Sequence, residues 1–362
     1  MERYCVIMAG GIGSRFWPLS KDNMPKQFLD ILGTGKSFIR ATFERFLPLV
    51  PPSNFVVVTN AAYKHLVLEQ LPELTDDQVL CEPMRRNTAP CIAYATYHIL
   101  SRLSEASVVV TPADHMVTGS VEFARVIGQG LDFVEHHRSA LMTIGIRPSR
   151  PETGYGYIEV DGDSQADATA AIVPVKTFKE KPDLDTAKRF VADGHYFWNS
   201  GIFLWSTDAI MTAFRTYLPA MAALFDEGLA DFGTTREQQF IDRQFAQCEN
   251  ISIDYGVMER VVANATGRER TLTMHTVCAD FGWSDIGTWG SLYTHAAHDD
   301  AGNAVCGHVL PVETADSVIN IEPGYVAIVE GLDHCLVALR DKSLLVCRLS
   351  DEQQIKNWVE KI

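Results

Sequence analysis

Four short apolar runs in the first 150 residues alternate with segments of helical periodicity. The runs are residues 4–8 (YCVIM), 55–59 (FVVVT), 107–111 (SVVVT) and 141–146 (LMTIGI), and amphipathic stretches such as SFIRATFERFLPLV separate them. Near-continuous apolar strands separated by helices are typical of a mostly parallel sheet that is covered on both faces. The sequence therefore predicts an α/β fold with a mostly parallel central sheet flanked by helices, Rossmann-like in arrangement.

The last part of the chain has a different pattern of apolar residues. After Tyr293 the stretches AVCGHVL, SVIN, YVAIVE, CLVALR and SLLVCR follow one another at short, regular intervals and lead into a terminal helical segment. Evenly spaced short strands are able to stack as a short solenoid. We predict a larger domain over residues 1–299 and a small β-rich C-terminal domain over 300–362 that ends in a helix. The C-terminal strands are a candidate homodimer contact.

Composition excludes several classes of function. The net charge of −15 argues against a nucleic-acid surface, although a local basic pocket remains compatible with it. No apolar stretch approaches the ~18 residues of a membrane span, and the N-terminus lacks the pattern of a secretion signal. The eight cysteines are scattered and have neither metal-finger nor disulfide spacing. We expect a cytoplasmic protein that binds neither nucleic acid nor membrane.

The segment AGGIGSRFWPLSKDNMPKQF follows the first apolar run directly. Ligands of parallel sheets bind beyond the carboxyl ends of the strands. Gly10, Gly11 and Gly13 let backbone N–H groups approach phosphate oxygens, because no Cβ stands in the way. Arg15 adds a planar guanidinium, and Lys26 adds a compact ammonium. Together these residues predict a polyphosphate-binding loop.

Two other phosphate motifs fit this sequence less well. LGTGKS at 32–37 resembles the end of a Walker A loop, but residue 30 is Asp where that motif has its first glycine. The dinucleotide fingerprint has a glycine where this chain has Phe16, a residue too large for close packing of helix on strand. A dinucleotide-dependent oxidoreductase stays open as an alternative, but it leaves Arg15 and Lys26 unexplained.

GGIGSRFWPLS followed by PKQF resembles the signature of the sugar-nucleotide pyrophosphorylases, in their mannose branch. Six further blocks match that family in order: EPMRRNTAP (82–90), PADH (112–115), GYGYIEV (154–160), FKEKP (178–182), WNSGIF (198–203) and WSDIGTW (283–289). The resemblance covers about the first 295 residues and is weaker in the residues that follow.

The resemblance implies that residues 1–299 form a nucleotidyltransferase catalytic domain of the nucleotide-diphospho-sugar transferase fold. The implied reaction transfers GMP from GTP to α-D-mannose 1-phosphate and yields GDP-mannose and pyrophosphate. It implies Mg²⁺ as cofactor, held by Asp114 and Asp285. Arg15 and Lys26 would stabilise the departing pyrophosphate, and Lys181 would hold the incoming sugar phosphate.

The resemblance also assigns residues to the two substrates. With the glycines of the loop, the residues expected to bind the nucleotide are Glu82, Asn87 and Thr88. Those expected to bind the sugar phosphate are Gly156, Glu159, Glu180 and Asn199. An enzyme with another base or sugar and a catalytically silent, nucleotide-sensing homologue stay open as alternatives. Longer members of the family carry an isomerase domain, and since this chain ends at Ile362 we expect no isomerase activity.

Overall fold

The computed structural model describes residues 1–160, 172–264 and 271–362. Its strands are β1 Glu2–Ala9, β2 Phe55–Asn60, β3 Val79–Glu82, β4 Ala106–Pro112, β5 Met116–Val117, β6 Ala140–Ile146, β7 Tyr157–Val160, β8 Ile172–Lys179, β9 Tyr196–Ser206, β10 Thr273–Ala279, β11 Trp283–Ser284, β12 Ala304–Cys306, β13 His308–Val312, β14 Val318–Ile321, β15 Val326–Glu330, β16 Cys335–Arg340 and β17 Ser343–Arg348. Its α-helices are α1 Phe38–Phe46, α2 Lys64–Gln70, α3 Thr88–Leu100, α4 Ser120–His136, α5 Leu184–Asp193, α6 Thr207–Tyr217, α7 Pro219–Asp226, α8 Glu237–Gln244, α9 Glu259–Ala263, α10 Trp289–His295 and α11 Ile355–Val359. None of these helices is long and apolar enough to cross a membrane.

Nine of the described strands form one sheet in the order β3-β2-β1-β4-β9-β6-β10-β8-β7. The four predicted apolar runs lie in β1, β2, β4 and β6, and the α/β class is confirmed. Strands β3, β2, β1 and β4 are mutually parallel, and so are β6 and β10. Strand β9 is antiparallel to both β4 and β6, which makes the sheet mixed. The alternation of apolar strands with helices favours parallel pairing, but a single apolar run does not specify the direction of its own strand, so the sequence did not predict the antiparallel β9.

Contacts between Cα atoms divide the chain into two compact units. The first comprises residues 1–10, 43–112 and 117–283, and the second comprises 11–42, 113–116 and 284–362. The nine-stranded sheet belongs to the first unit. The predicted domain boundary between residues 299 and 300 stays a prediction.

The first unit packs α3 and α6 into a large apolar core. Helix α3 is apolar almost all round: its residues from Ala89 to Ile99 are all buried. A helix with this composition is stable only inside a protein, because no face of it suits water. The burial of α3 therefore fixes where its N-terminus lies, next to the carboxyl end of β3.

The second unit contains the C-terminal strands. Strands β12, β14 and β16 pair in parallel, β13 pairs in parallel with β15, and β17 returns antiparallel to β16. Parallel pairing of alternate strands is the arrangement of a short solenoid, in which each turn buries the next. The chain then ends with α11, whose Ile355 is fully buried. The apolar core of this unit also contains Phe16 and Trp289, whose ring centroids lie 5.4 Å apart.

Candidate functional site

The glycine loop is fixed by the segment that carries Lys26. The carbonyl of Gly11 accepts a hydrogen bond from Gln27 Nε2 at 3.0 Å, and that of Ile12 accepts one from the backbone N–H of Lys26 at 3.1 Å. Gly13 has a φ of +69°, and a Cβ there would lie 2.4 Å from the Cβ of Lys26. The loop therefore depends on glycine at position 13 for both its backbone conformation and its packing.

The Lys26 side chain is 3% exposed. Its ammonium donates to the carbonyl of Asp114 at 3.0 Å, to Oδ2 of the same residue at 2.9 Å and to the carbonyl of Asp285 at 2.7 Å. It also lies 5.7 Å and 5.0 Å from the ring centroids of Phe16 and Phe38. These contacts use all three ammonium hydrogens and bring the two predicted metal ligands next to the glycine loop.

The two aspartates differ in their surroundings. Burial would raise the pKa of Asp114, but the charges of Lys26 and His115 outweigh it and hold the pKa below its ordinary value. Asp285 Oδ1 accepts the N–H of Gly287 at 3.1 Å, and a Cβ on that glycine would lie 2.7 Å from Asp285 Oδ2. Asp114 thus stays ionised at neutral pH, and glycine at 287 leaves space beside the second carboxylate.

Arg15 belongs to the same unit but not to this buried group. It lies exposed on the 3₁₀ turn Ser14–Phe16, and the next residue, Phe16, is fully buried. The buried ring anchors the turn in the core of the second unit. The guanidinium is therefore held at the surface, where an anion can reach it.

In the first unit, Gly10 and Glu82 lie side by side. A Cβ on Gly10 would lie 3.3 Å from Glu82 Oε2. Glu82 ends β3 and is 6% exposed, and its Oε1 has no hydrogen-bond partner among the described residues. Burial raises the pKa of this carboxyl to about 8. An acid so poorly matched by its surroundings is typical of a ligand-binding position.

Asn87 and Thr88 have structural contacts at the start of α3. Asn87 Oδ1 accepts the N–H of Thr88 at 3.0 Å and caps the helix. Thr88 Oγ1 accepts the N–H of Ile253 at 2.8 Å. The nucleotide-binding role of both residues stays a prediction.

Three of the predicted sugar-phosphate residues lie together with Lys181. Lys181 Nζ donates to Glu180 Oε1 at 2.7 Å. A Cβ on Gly156 would lie 2.5 Å from Glu180 Oε2 and 3.3 Å from the Cβ of Asn199. Asn199 Nδ2 donates to Asp254 Oδ1 at 2.9 Å. The sequence reasoning did not select Asp254, although an acid between the apolar residues of ISIDYGVM is a recognisable signal of a buried polar position.

Glu159 lies in other surroundings. Its Oε2 accepts the hydroxyl hydrogen of Tyr196 at 3.1 Å, and its Oε1 pairs with Lys176 Nζ at 2.8 Å. Burial opposes the charge of Glu159, but Lys176 and neighbouring hydroxyls outweigh it and hold the pKa of this carboxyl below its ordinary value. Both oxygens therefore have partners within the protein, and the sugar-binding role of Glu159 stays a prediction.

Comparison with known proteins places the chain among enzymes of one class. The nucleotidyl transferase family matches residues 4–302. The chain is 34% identical to a mannose-1-phosphate guanylyltransferase of Escherichia coli, over 99% of this chain and 75% of that protein. It is 35% identical to mannose-1-phosphate guanylyltransferase ManC of Salmonella typhimurium, over 99% of this chain and 73% of the other. A crystal structure described as a mannose-1-phosphate geranyltransferase from Thermus thermophilus superposes with a TM-score of 0.84 at 28% identity, covering 100% of this chain and 99% of that one.

Substitution of Gly13 by alanine tests how tightly the loop is packed on Lys26. Gly33 is the matched control, because its φ of +67° is similar but a Cβ there meets nothing within 4 Å. Gly33→Ala carries the strain of the left-handed backbone alone, about 1–2 kcal/mol. Gly13→Ala adds the overlap with Lys26, about 1–3 kcal/mol more. We expect a clearly lower midpoint of urea unfolding for Gly13→Ala than for Gly33→Ala; equal midpoints would contradict the close packing.

Proposed function

Because this chain belongs to the nucleotidyl transferase family, we propose that it transfers GMP from GTP to α-D-mannose 1-phosphate and releases GDP-mannose and pyrophosphate. The membership expected from the sequence motifs is confirmed, and the chain is an enzyme of the nucleotidyltransferase class. The choice of guanine and mannose follows the similarity to the Escherichia coli and Salmonella typhimurium guanylyltransferases over 99% of this chain.

One observation carries the catalytic part of the proposal: the buried Lys26 joins the glycine loop, through its backbone N–H, to the segments of Asp114 and Asp285, through its ammonium. A phosphate oxygen of the sugar phosphate attacks the α-phosphorus of GTP in line, and no covalent enzyme intermediate forms. In such transfers the protein contributes positioning and charge stabilisation rather than a nucleophile. Arg15 stabilises the departing pyrophosphate, Lys26 holds the glycine loop and the two aspartates in position relative to one another, and Lys181 holds the incoming phosphate.

The carboxylates of Asp114 and Asp285 fit a magnesium ion. Nucleotidyltransferases generally use a divalent metal, and Mg²⁺ is usually bound by one or two carboxylates plus substrate phosphates. Both residues supply hard oxygen donors in one unit of the chain, and Asp114 keeps its negative charge because of Lys26. When bound, the ion neutralises charge on the phosphates. Asp114 and Asp285 are the residues that would hold it.

The remaining proposals concern partners and location. All eight cysteines are unpaired thiols and one of them, Cys306, is exposed, which supports a reducing, cytoplasmic setting. Leu310, Val326 and Ile328 are exposed on the paired strands β13 and β15, and they support this face as the homodimer contact. The net charge of −15 supports small-molecule substrates rather than nucleic acid.

Pyrophosphate release from the purified protein tests the proposed reaction. We expect turnover with Mg²⁺, GTP and mannose 1-phosphate, and little with ATP, dTTP or glucose 1-phosphate. Turnover with another pair would retain the nucleotidyl transfer and overturn the assigned substrates. Nucleotide binding without turnover of any pair would favour the silent homologue.

Loss of a charged group at the reacting phosphates typically costs about 100- to 1000-fold in rate. We expect Arg15→Ala and Asp285→Ala to lower kcat by about that factor while the circular dichroism spectrum stays unchanged. Asp300→Ala is the control, because this aspartate is exposed and follows α10. Folded Arg15 or Asp285 variants with the rate of the control would contradict the assigned roles.

Glu82 predicts a pH dependence of GTP binding. The N1–H and amino group of guanine both donate, so an ionised carboxylate is the matching acceptor. Below its pKa of about 8, Glu82 is protonated and must release a proton when guanine binds. GTP affinity should therefore rise with pH toward the pKa, by at most about tenfold per pH unit, and level off above it.

The KM for GTP between about pH 7 and 9 measures this effect. Glu82→Gln should remove most of the pH dependence and reduce the preference for GTP over ATP. The exposed Glu69 of α2 provides the control variant Glu69→Gln, which should keep the wild-type profile. A wild-type KM that does not change with pH would refute the role of Glu82.

A further inference from the structure

Asp254 occupies an unusual backbone position next to the predicted sugar-phosphate residues. It is the first residue of a one-turn π-helix, Asp254–Met258, directly before α9. Single π-helical turns are frequent at functional sites, because they shift the register in which side chains project from a helix. The preceding residue Ile253 is tied to Thr88 at the start of α3. The position of Asp254 is thus set from both sides.

The amide of Asn199 has only one orientation that satisfies its neighbours. Asn199 Oδ1 accepts the hydroxyl hydrogen of Thr143 at 2.6 Å and the N–H of Gly201 at 3.3 Å. A backbone N–H is only a donor, so the atom facing Gly201 must be the amide oxygen. The amide nitrogen therefore faces Asp254 Oδ1, 2.9 Å away. Asn199 uses its acceptor inside the protein and holds the Asp254 carboxyl in a fixed orientation.

Glu180 presents a second carboxyl oxygen that the protein does not satisfy. Its Oε1 accepts from Lys181 Nζ, and its backbone N–H donates to Glu259 Oε1 at 2.9 Å. Its Oε2 is buried and has no hydrogen-bond partner among the described residues. A buried acceptor left without a donor is costly, and a ligand hydroxyl would remove that cost. Gly156 allows this arrangement, because any Cβ there would collide with Oε2.

The charges around Asp254 and Glu180 do not balance. Burial and then the charge of Glu180 raise the pKa of Asp254 to about 7, although Lys181 and Asn199 act in the opposite direction. Burial works against the charge of Lys181, but Glu180 and Asp254 outweigh it and raise the pKa of that ammonium. Tyr255 and Glu259 contribute no further cation. The group has more acceptors than donors, and the ammonium of Lys181 lies beside the carboxyl of Glu180.

We propose that Asp254 is a substrate-binding residue whose carboxyl, together with that of Glu180, accepts hydrogen bonds from hydroxyls of the hexose. Carboxyl oxygens attract hydroxyl donors and repel phosphate, whereas Lys181 attracts phosphate. A sugar phosphate, which carries both hydroxyls and a phosphate, complements this arrangement. Asn199 then acts mainly as the residue that positions Asp254. This inference rests on the proposed transfer to a hexose 1-phosphate.

The variant Asp254→Asn separates sugar binding from a purely structural role. Its amide oxygen can still accept from Asn199 Nδ2, while the second carboxyl oxygen becomes an NH₂ group that only donates. Glu249→Gln is the matched control, because Glu249 is an exposed acid five residues earlier in the same segment. Titration calorimetry with mannose 1-phosphate should show affinity reduced roughly 10- to 100-fold for Asp254→Asn and unchanged for the control. The KM for GTP should stay at the wild-type value.

Mannose 1-phosphates that lack single ring hydroxyls then identify the contact. Removing the hydroxyl that Asp254 binds should lower the affinity of the wild type for the sugar phosphate. The same removal should not lower the affinity of Asp254→Asn any further, as in a double-mutant cycle. Unchanged affinity of the variant for mannose 1-phosphate would overturn the inference. Equal losses of affinity for mannose 1-phosphate and GTP in Asp254→Asn would also overturn it. So would identical effects of the deoxy-sugars on the wild type and on Asp254→Asn.

The same titrations distinguish this inference from the proposed function. A wild type that binds glucose 1-phosphate but not mannose 1-phosphate overturns the proposed sugar. Titrations of the wild type and of Asp254→Asn with the corresponding deoxy-glucose 1-phosphates then decide the role of Asp254. Wild-type protein that binds neither sugar phosphate overturns both proposals.

Discussion

The buried ammonium of Lys26 is the interaction on which the second unit's candidate site depends. Three segments contact Lys26: the glycine loop accepts its backbone N–H, and the segments of Asp114 and Asp285 accept its ammonium hydrogens. A charge in such a position must have all its hydrogens matched, and removal of one partner from a buried ion pair costs about 3–5 kcal/mol. The lysine therefore couples the shape of the glycine loop to the placement of both aspartates. A flexible surface lysine would provide the same charge but would not hold the loop and the aspartates in position.

In the first unit the buried charged groups of the candidate site are acids, and among the described residues they lack the full set of partners that the buried lysine of the second unit has. Glu82 and Glu180 are buried acids, and each has an oxygen without a partner among the described residues. Glycines at positions 10 and 156 lie against these carboxyls where any side chain would crowd them. Unmatched buried acids lower stability, and their presence supports the proposal that ligands bring the missing donors. A guanine edge and a sugar diol are donors of this kind.

The motifs predicted which segments carry chemistry better than they predicted what each side chain contacts. Asn199 is predicted to bind the sugar phosphate, whereas its oxygen already accepts from Thr143 and Gly201. Lys26 was selected as a charge for pyrophosphate, and its hydrogens are directed at Asp114 and Asp285. Apart from the bond between Asn199 and Gly201, these contacts join residues more than 50 positions apart, and no local pattern encodes them.

The sequence by itself determined the α/β class, the four apolar strands and the basic glycine loop, because burial on both faces and the need for φ > 0 are local demands on residue type. Tertiary structure alone decided the antiparallel direction of β9 and the bonding of Lys26. It also decided the placement of Asp254 beside Asn199 and Glu180. These features depend on which segments meet in space. An apolar strand packs equally well in either direction, and a carboxyl group acquires its pKa and its partners only from the neighbours that folding brings to it.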